Sequence, residues 1–300
     1  MNERFLAIVN PAAGGGRSGK LAVKALADLR AQGVNLEIRE THGAGEATQL
    51  ARESYHEGWR KFLAVGGDGT SYEIVNGLFP ECLGGERPAL GFLPLGTGNS
   101  FLKDFTEHGA AGAAQAILAG RTRRCDVMRL VYEGGELYYI NLLTLGFAAD
   151  VAATTNRRFK AFGEAGYILG VLTCLARLDR RPFPHRVDPN TEHDRRRCLF
   201  LAFNNSRFTG GKMMIAPKAA TDDGLLEYVR WGPIGRLGLL RNLPTLFDGT
   251  HIKHPLASRA AVQRVEFDLD RPVTVMVDGE SLELQLRSIE VLAGALDVYA

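Results

Sequence analysis

The first 122 residues alternate four short apolar runs with four helical patterns, and few folds accommodate that rhythm. The runs at 5–9, 34–39, 62–65 and 90–93 read as buried strands. Between them, 20–31, 45–56, 72–78 and 110–119 carry apolar residues at helical spacing. Strand followed by helix, four times over, predicts an α/β domain: a doubly wound parallel sheet with helices on both faces. Each strand runs out into small or polar residues: Asn10-Pro11-Ala12-Ala13-Gly14, Thr41-His42-Gly43, Gly66-Gly67-Asp68-Gly69-Thr70 and Gly96-Thr97-Gly98-Asn99. Ligands of such sheets bind outside the carboxyl ends of the strands, so the four segments predict one shared site.

From residue 123 the rhythm changes. Residues 126–132, a Glu133-Gly134-Gly135 turn and 137–145 predict a β-hairpin, and further strand-like runs follow at 198–203, 225–229, 262–269, 273–277 and 289–293. Helical patterns at 163–178 and 234–246 interrupt them. The expectation is two domains, an α/β domain at 1–122 and a mostly antiparallel β domain at 123–300. The final residues are free to return to the first domain.

At 45% hydrophobic content and a net charge of +2, the 300-residue chain is not disordered. The N-terminus has no signal-peptide pattern, and no apolar stretch approaches the roughly 18 residues of a membrane span. Cys82, Cys125, Cys174 and Cys198 lie far apart and read as reduced, mostly buried thiols of a cytoplasmic protein. Residues 151–241 carry an excess of +8 and the remainder −6, with basic clusters at Arg157-Arg158, Arg180-Arg181 and Arg195-Arg196-Arg197. Such clusters are either a solvated face or an attraction to an anionic membrane surface or a phosphorylated substrate. Aromatics are not interleaved with them, which argues against nucleic acid.

Three glycine-rich stretches compete as phosphate loops. Gly14 to Gly19 fits the dinucleotide pattern, with Glu37 and Glu40 downstream as ribose-binding candidates. It also nearly fits the Walker A pattern but places Leu21 where a magnesium-binding hydroxyl belongs. Gly66-Gly67-Asp68-Gly69-Thr70 is the stronger signal. Its glycines let backbone N–H groups approach phosphates, and Asp68 adds a carboxylate that a metal ion makes tolerable there. Pro94-Leu95-Gly96-Thr97-Gly98-Asn99 forms a second such loop at the next strand end.

With these blocks in order, the chain resembles the diacylglycerol kinase catalytic-domain family, which includes sphingosine and ceramide kinases. The resemblance spans nearly the whole length. It is carried by Asn10 to Gly14, Gly66 to Thr70, Pro94 to Asn99, Gly210 to Lys218, Asp222-Asp223-Gly224 and Val277-Asp278-Gly279-Glu280. It implies a lipid kinase that binds ATP between two domains and acts on a lipid hydroxyl at the membrane surface, as a cytoplasmic, peripherally associated protein. By the family pattern, Asn10, Pro11, Ala12, Ala13, Gly14, Thr41, Gly66, Gly67, Asp68, Gly69, Thr70, Ser71, Tyr72, Thr97, Gly98 and Asn99 would hold the nucleotide. Glu280 would be the catalytic base and Asp68 would help hold catalytic Mg2+. Asp223, with the backbone carbonyls of Ala220 and Leu225, would hold a structural Mg2+.

Ser100 departs from the pattern, since the family usually has Asp after G-T-G-N. The alternatives are an NAD-kinase-like or dinucleotide-binding enzyme, and the oligomeric state stays open, a homodimer included. Without the family, Glu280 reads only as a carboxylate on a turn after a strand, and Asp222-Asp223-Gly224 as a tight turn or a cation site. Residues 163–178 carry apolar side chains on most sides and read as a core helix or the wall of a lipid pocket.

Overall fold

The computed structural model of the protein describes residues 4–95, 100–159, 163–187, 189–210 and 212–300. Strands β1 (Arg4–Val9), β2 (Asn35–Glu40), β3 (Lys61–Gly66) and β4 (Ala89–Pro94) pair in parallel in the order β2-β1-β3-β4. Helices α1 (Arg17–Ala31), α2 (Glu46–His56), α3 (Asp68–Leu78) and α4 (Gly109–Leu118) complete this α/β unit. Because side chains alternate along a strand, each strand feeds two cores. Leu6, Ile8, Phe62, Leu90 and Phe92 pack with Ala51, Ile74 and Leu78 of α2 and α3. Ala7, Val9, Leu63, Val65 and Leu93 pack with Leu26, Leu29 and Ile117 of α1 and α4.

The sheet is larger and more mixed than the sequence rhythm predicts. Among the described residues it has nine strands, and β5 (Thr122–Tyr132) with β6 (Gly135–Tyr139) adds an antiparallel hairpin. A second sheet of six antiparallel strands holds β7 (Leu142–Gly146), β8 (Phe200–Asn204), β9 (Leu226–Trp231), β10 (Ala257–Val262), β12 (Val273–Val277) and β13 (Glu280–Leu284). Three later strands return to the first sheet: the short strand His185–Arg186, β11 (Arg264–Phe267) and β14 (Leu286–Tyr299). β14 pairs in parallel with β4 at Asp297↔Ala89 and antiparallel with β5 along most of its length. The two sheets pack face to face through Met128, Leu130 and Tyr139 against Leu143, Leu145, Phe203 and Val277.

Three predicted elements are redrawn. The strand at 137–145 breaks at Asn141, where the chain crosses from one sheet to the other. The helix at 234–246 splits into α7 (Arg236–Asn242) and α8 (Thr245–Asp248), because Pro244 has no N–H to continue it. The helix at 72–78 begins four residues early, at Asp68. On the outer face of the second sheet lie α5 (Phe147–Thr154), α6 (Gly163–Ala176), α7 and α8. All four cysteines are free thiols, and burial pushes Cys82 and Cys198 up to about 12.

Candidate active site

The buried strand β3 delivers the chain to Gly66, and α3 starts two residues later at Asp68. The turn is tight: a Cβ on Gly66 would lie 2.3 Å from Thr70 Oγ1. Thr70 N–H donates to the Gly67 carbonyl at 3.0 Å, and Ser71 Oγ donates to the Asp68 carbonyl at 2.8 Å. Thr70 Oγ1 is buried with no hydrogen-bond partner among the described residues. The Thr70 and Ser71 N–H groups thus turn back to the Gly67 carbonyl, while the N-terminus of α3 carries the partial positive charge that favours an anion. Asp68 is half-buried and accepts a 3.4 Å bond from Ser100 N–H, and burial pushes its carboxyl up to about 6.

The neighbouring strand ends converge on this turn. Asn10 N–H donates to the Val65 carbonyl at 3.0 Å, while Asn10 Oδ1 accepts from Ala12 N–H at 3.1 Å. Thr41 is buried and donates to the Val9 carbonyl through its N–H at 2.9 Å and its hydroxyl at 3.3 Å. Pro11, Ala13, Gly14, Gly67, Gly69 and Tyr72 are half-buried, and Ala12 is exposed. Leu95 N–H donates to the Gly66 carbonyl at 3.0 Å. Thr97, Gly98 and Asn99 lie outside the described residues.

From the second sheet, the hairpin between β12 and β13 reaches the same turn. Val277 pairs with Glu280, leaving the two-residue loop Asp278-Gly279 with φ of 46° and 94°. Positive φ at both positions is what a tight hairpin with Asp-Gly adopts. Asp278 is buried, and its carboxylate accepts from the N–H groups of Ile140 (2.9 Å), Asn141 (3.0 Å) and Leu142 (2.8 Å). This one side chain fixes the crossing between sheets. Burial nevertheless pushes Asp278 up to about 7, and the charge of Asp68 adds to that rise. Glu280 is exposed, with Oε1 only 2.9 Å from where a Cβ on Gly69 would sit. Glycine at 69 is what lets this carboxylate rest on the first turn of α3.

Asp68, Ser100, Asn141 and Asp278 border a cavity of about 570 Å³. Beyond them its lining is almost wholly apolar: Leu142, Phe200 and Met276 of the sheet, Phe147 and Val151 of α5, Val171 and Leu172 of α6, and Leu239, Leu246 and Phe247 of α7 and α8. Helix α6 packs Leu175 in the core and turns Val171 and Leu172 to the cavity.

Residues 4–130 match the diacylglycerol kinase catalytic domain, and residues 141–300 match the YegS C-terminal NAD kinase beta sandwich-like domain. A Pseudomonas fluorescens protein described as "Probable lipid kinase YegS-like" is 31% identical over 277 residues, which cover 92% of this chain and 87% of that one. A Mycobacterium tuberculosis diacylglycerol kinase is 31% identical over 92% of this chain and 88% of its own. The chain belongs to the diacylglycerol kinase catalytic-domain family. It stands among lipid kinases, which are phosphotransferases. The fold also matches a Bacillus anthracis diacylglycerol kinase structure with a TM-score of 0.72 at 22% identity, over 99% of this chain and 96% of that one.

Against the family pattern, Ser100 is buried at the cavity's polar end, where the usual carboxylate is absent. Asp223 spends one oxygen on Leu225 N–H at 2.9 Å, and Asp222 lies 3.4 Å from Arg123. Beside them Asp126 accepts from Gly224 and Gly294 N–H, both at 2.7 Å. Burial raises the Asp126 carboxyl, and the charges of Asp223 and Asp222 add to it. Among the described residues no group of three or more His, Cys, Asp or Glu is arranged to hold a metal. Asp278, Asn141 and Asp126 carry more of the site than sequence reasoning assigned them. The Asp-Gly pair before Glu280 and the Asn inside an apolar strand run were the available signals.

Proposed function

We propose that this protein transfers the γ-phosphoryl group of ATP to the hydroxyl of a lipid, of the diacylglycerol or sphingolipid kind. One observation supports this above the rest: an apolar cavity of lipid-tail character has its polar end at Asp68, on the phosphate-facing turn of α3. The nucleotide lies along the strand ends from Asn10 to Gly14, Thr41, Gly66 to Tyr72 and the segment at 97–99. The lipid places its hydroxyl beside Asp68 and its chain between β7 and helices α5 to α8. Glu280 accepts the hydroxyl proton as the new P–O bond forms and the bond to ADP breaks. Asp278 holds the turn that presents Glu280.

The carboxylates fit Mg2+. The charge of Asp68 raises the cost of ionising Asp278, and such an ion is commonly bound by one or two carboxylates plus phosphate oxygens. Asp68 would hold it, and when bound it would neutralise charge developing on the transferred phosphoryl group. The repulsion among Asp126, Asp222 and Asp223 fits a second, structural Mg2+ at Asp223 and the carbonyls of Ala220 and Leu225.

No helix of the described residues is long and apolar enough to cross a membrane. Leu172, Leu240 and Phe247 line the cavity yet stay 48–53% exposed, and Leu237 beside them is 83% exposed. This apolar rim is the surface through which a lipid leaves a bilayer for the site, so the protein works as a peripheral membrane enzyme. Incubation with labelled ATP, Mg2+ and a panel of diacylglycerol, ceramide and sphingoid base tests the reading. Labelled lipid that disappears with Asp68→Ala supports it, and no labelled lipid from any of the three refutes it.

A further inference from the structure

Within the apolar wall of the cavity stand two threonines, Thr144 and Thr209, that neither the nucleotide nor the phosphoryl transfer uses, and Thr144 is the one on strand β7. Thr144 is the central residue of β7, whose backbone pairs on both sides, with Ala202 of β8 and Met276 of β12. Alternation along the strand sends Leu143 and Leu145 into the core between the sheets and turns Leu142 and Thr144 toward the cavity. Thr144 is only 2% exposed, and its Oγ1 has no hydrogen-bond partner among the described residues. A buried hydroxyl without a partner destabilises the fold that contains it. Valine has nearly the same shape and would fill the position without that penalty.

The hydroxyl is itself covered, so a ligand in the cavity meets it once the side chain turns about χ1, and the place of Thr144 on the strand says which group that would be. Leu142 lies beside Asp278, whose N–H donates to the Leu142 carbonyl at 3.0 Å. Thr144 is two residues further along the same face, about 7 Å deeper at the rise of a strand. A lipid with its acceptor hydroxyl at the carboxylate end therefore carries Thr144 beside the group a few bonds further in. In glycerolipids and ceramides that group is an ester or amide carbonyl. An ammonium there would be desolvated among Phe200, Met276 and Val151 with no carboxylate on its own stretch of wall, whereas a carbonyl needs only one donor.

We propose that Thr144 Oγ1–H donates a hydrogen bond to the ester or amide carbonyl next to the phosphorylated hydroxyl, and so selects acylated lipids over ether analogues. This rests on the lipid occupying the cavity as described above.

The test compares a diacylglycerol with the dialkyl ether glycerol of the same chains, in nonionic detergent micelles. Affinity by titration calorimetry and turnover are both measured for wild type, Thr144→Ser and Thr144→Val. Wild type should bind the ester about tenfold more tightly, the scale of one buried hydrogen bond. Thr144→Ser should keep that preference. Thr144→Val should bind both lipids equally, with its affinity for the ether undiminished, which also shows that the pocket still folds. Equal binding by wild type, binding of neither lipid, or a preference that survives Thr144→Val each overturns the proposal. Selective ester binding without phosphorylation of either lipid would leave the carbonyl subsite standing and remove the kinase reading instead.

Discussion

A carboxylate in the first turn of a helix is ordinarily stabilised in its charged form, yet Asp68 is pushed up to about 6 because burial outweighs that help. Its native value lies above the ordinary 3.8. Between those two pH values the folded chain keeps a proton that the unfolded chain has lost, so stability falls as pH rises through that window. Asp68→Asn should therefore raise the metal-free protein's stability at pH 8 by about 1–3 kcal/mol, give no gain at pH 4, and abolish lipid phosphorylation. Urea denaturation at the two pH values checks this, and an equal effect at both would sink it. Glu280→Gln should lower turnover by roughly 10²–10⁴-fold while ATP affinity holds, since the amide cannot accept the proton. Measuring both on one preparation decides the matter, and near-wild-type turnover removes Glu280 as the base. The turn at Asp68 was legible in the sequence because glycines straight after an apolar run mark a tight strand-to-helix turn. Asp278 was not, because its weight comes from burial and from amides at 140–142, far away along the chain.

At the scale of elements, the parallel strands β1 to β4 were readable because each is followed by its own helix and obeys a local pattern. The place of β14 was not, since its pairing with β4 joins residues 297 and 89. The break at Asn141 was hidden for the same reason, as a continuous apolar run looks alike whether one sheet or two receive it. The contact between α2 and α3 sets how the phosphate turn is carried. A Cβ on Gly77 of α3 would meet the Thr48 carbonyl oxygen at 2.2 Å and Ala51 Cβ at 2.8 Å. Gly77→Ala gains about 1 kcal/mol of helix propensity, but forcing the helices apart should leave a net loss of about 1–3 kcal/mol. A higher midpoint in urea denaturation would show that α2 yields freely.

For the whole molecule, the basic segment read in the sequence either as a solvated face or as an attraction to an anionic membrane surface or a phosphorylated substrate. The fold pairs much of it internally: Arg181 with Asp150, Arg195 with Asp268 and Arg196 with Asp194. The apolar rim of the cavity is the better candidate for membrane contact. Leu237→Asp combined with Leu240→Asp should reduce flotation with anionic vesicles and lipid turnover severalfold, with ATP affinity retained. Neutralising Arg195 and Arg196 should change flotation little at physiological salt. The reverse ranking would return membrane contact to the arginines.

The placement of β14 also bears on how the chain is made. A ribosome releases residues 61–94 long before residue 299, so β4 emerges with one edge unpaired and stays so for some two hundred residues of synthesis. An open apolar edge invites pairing with other nascent chains. The first sheet is therefore finished only when residues 286–299 emerge. Until then the sheet that carries Gly66 to Thr70 keeps an edge that only rapid synthesis or a covering partner would protect.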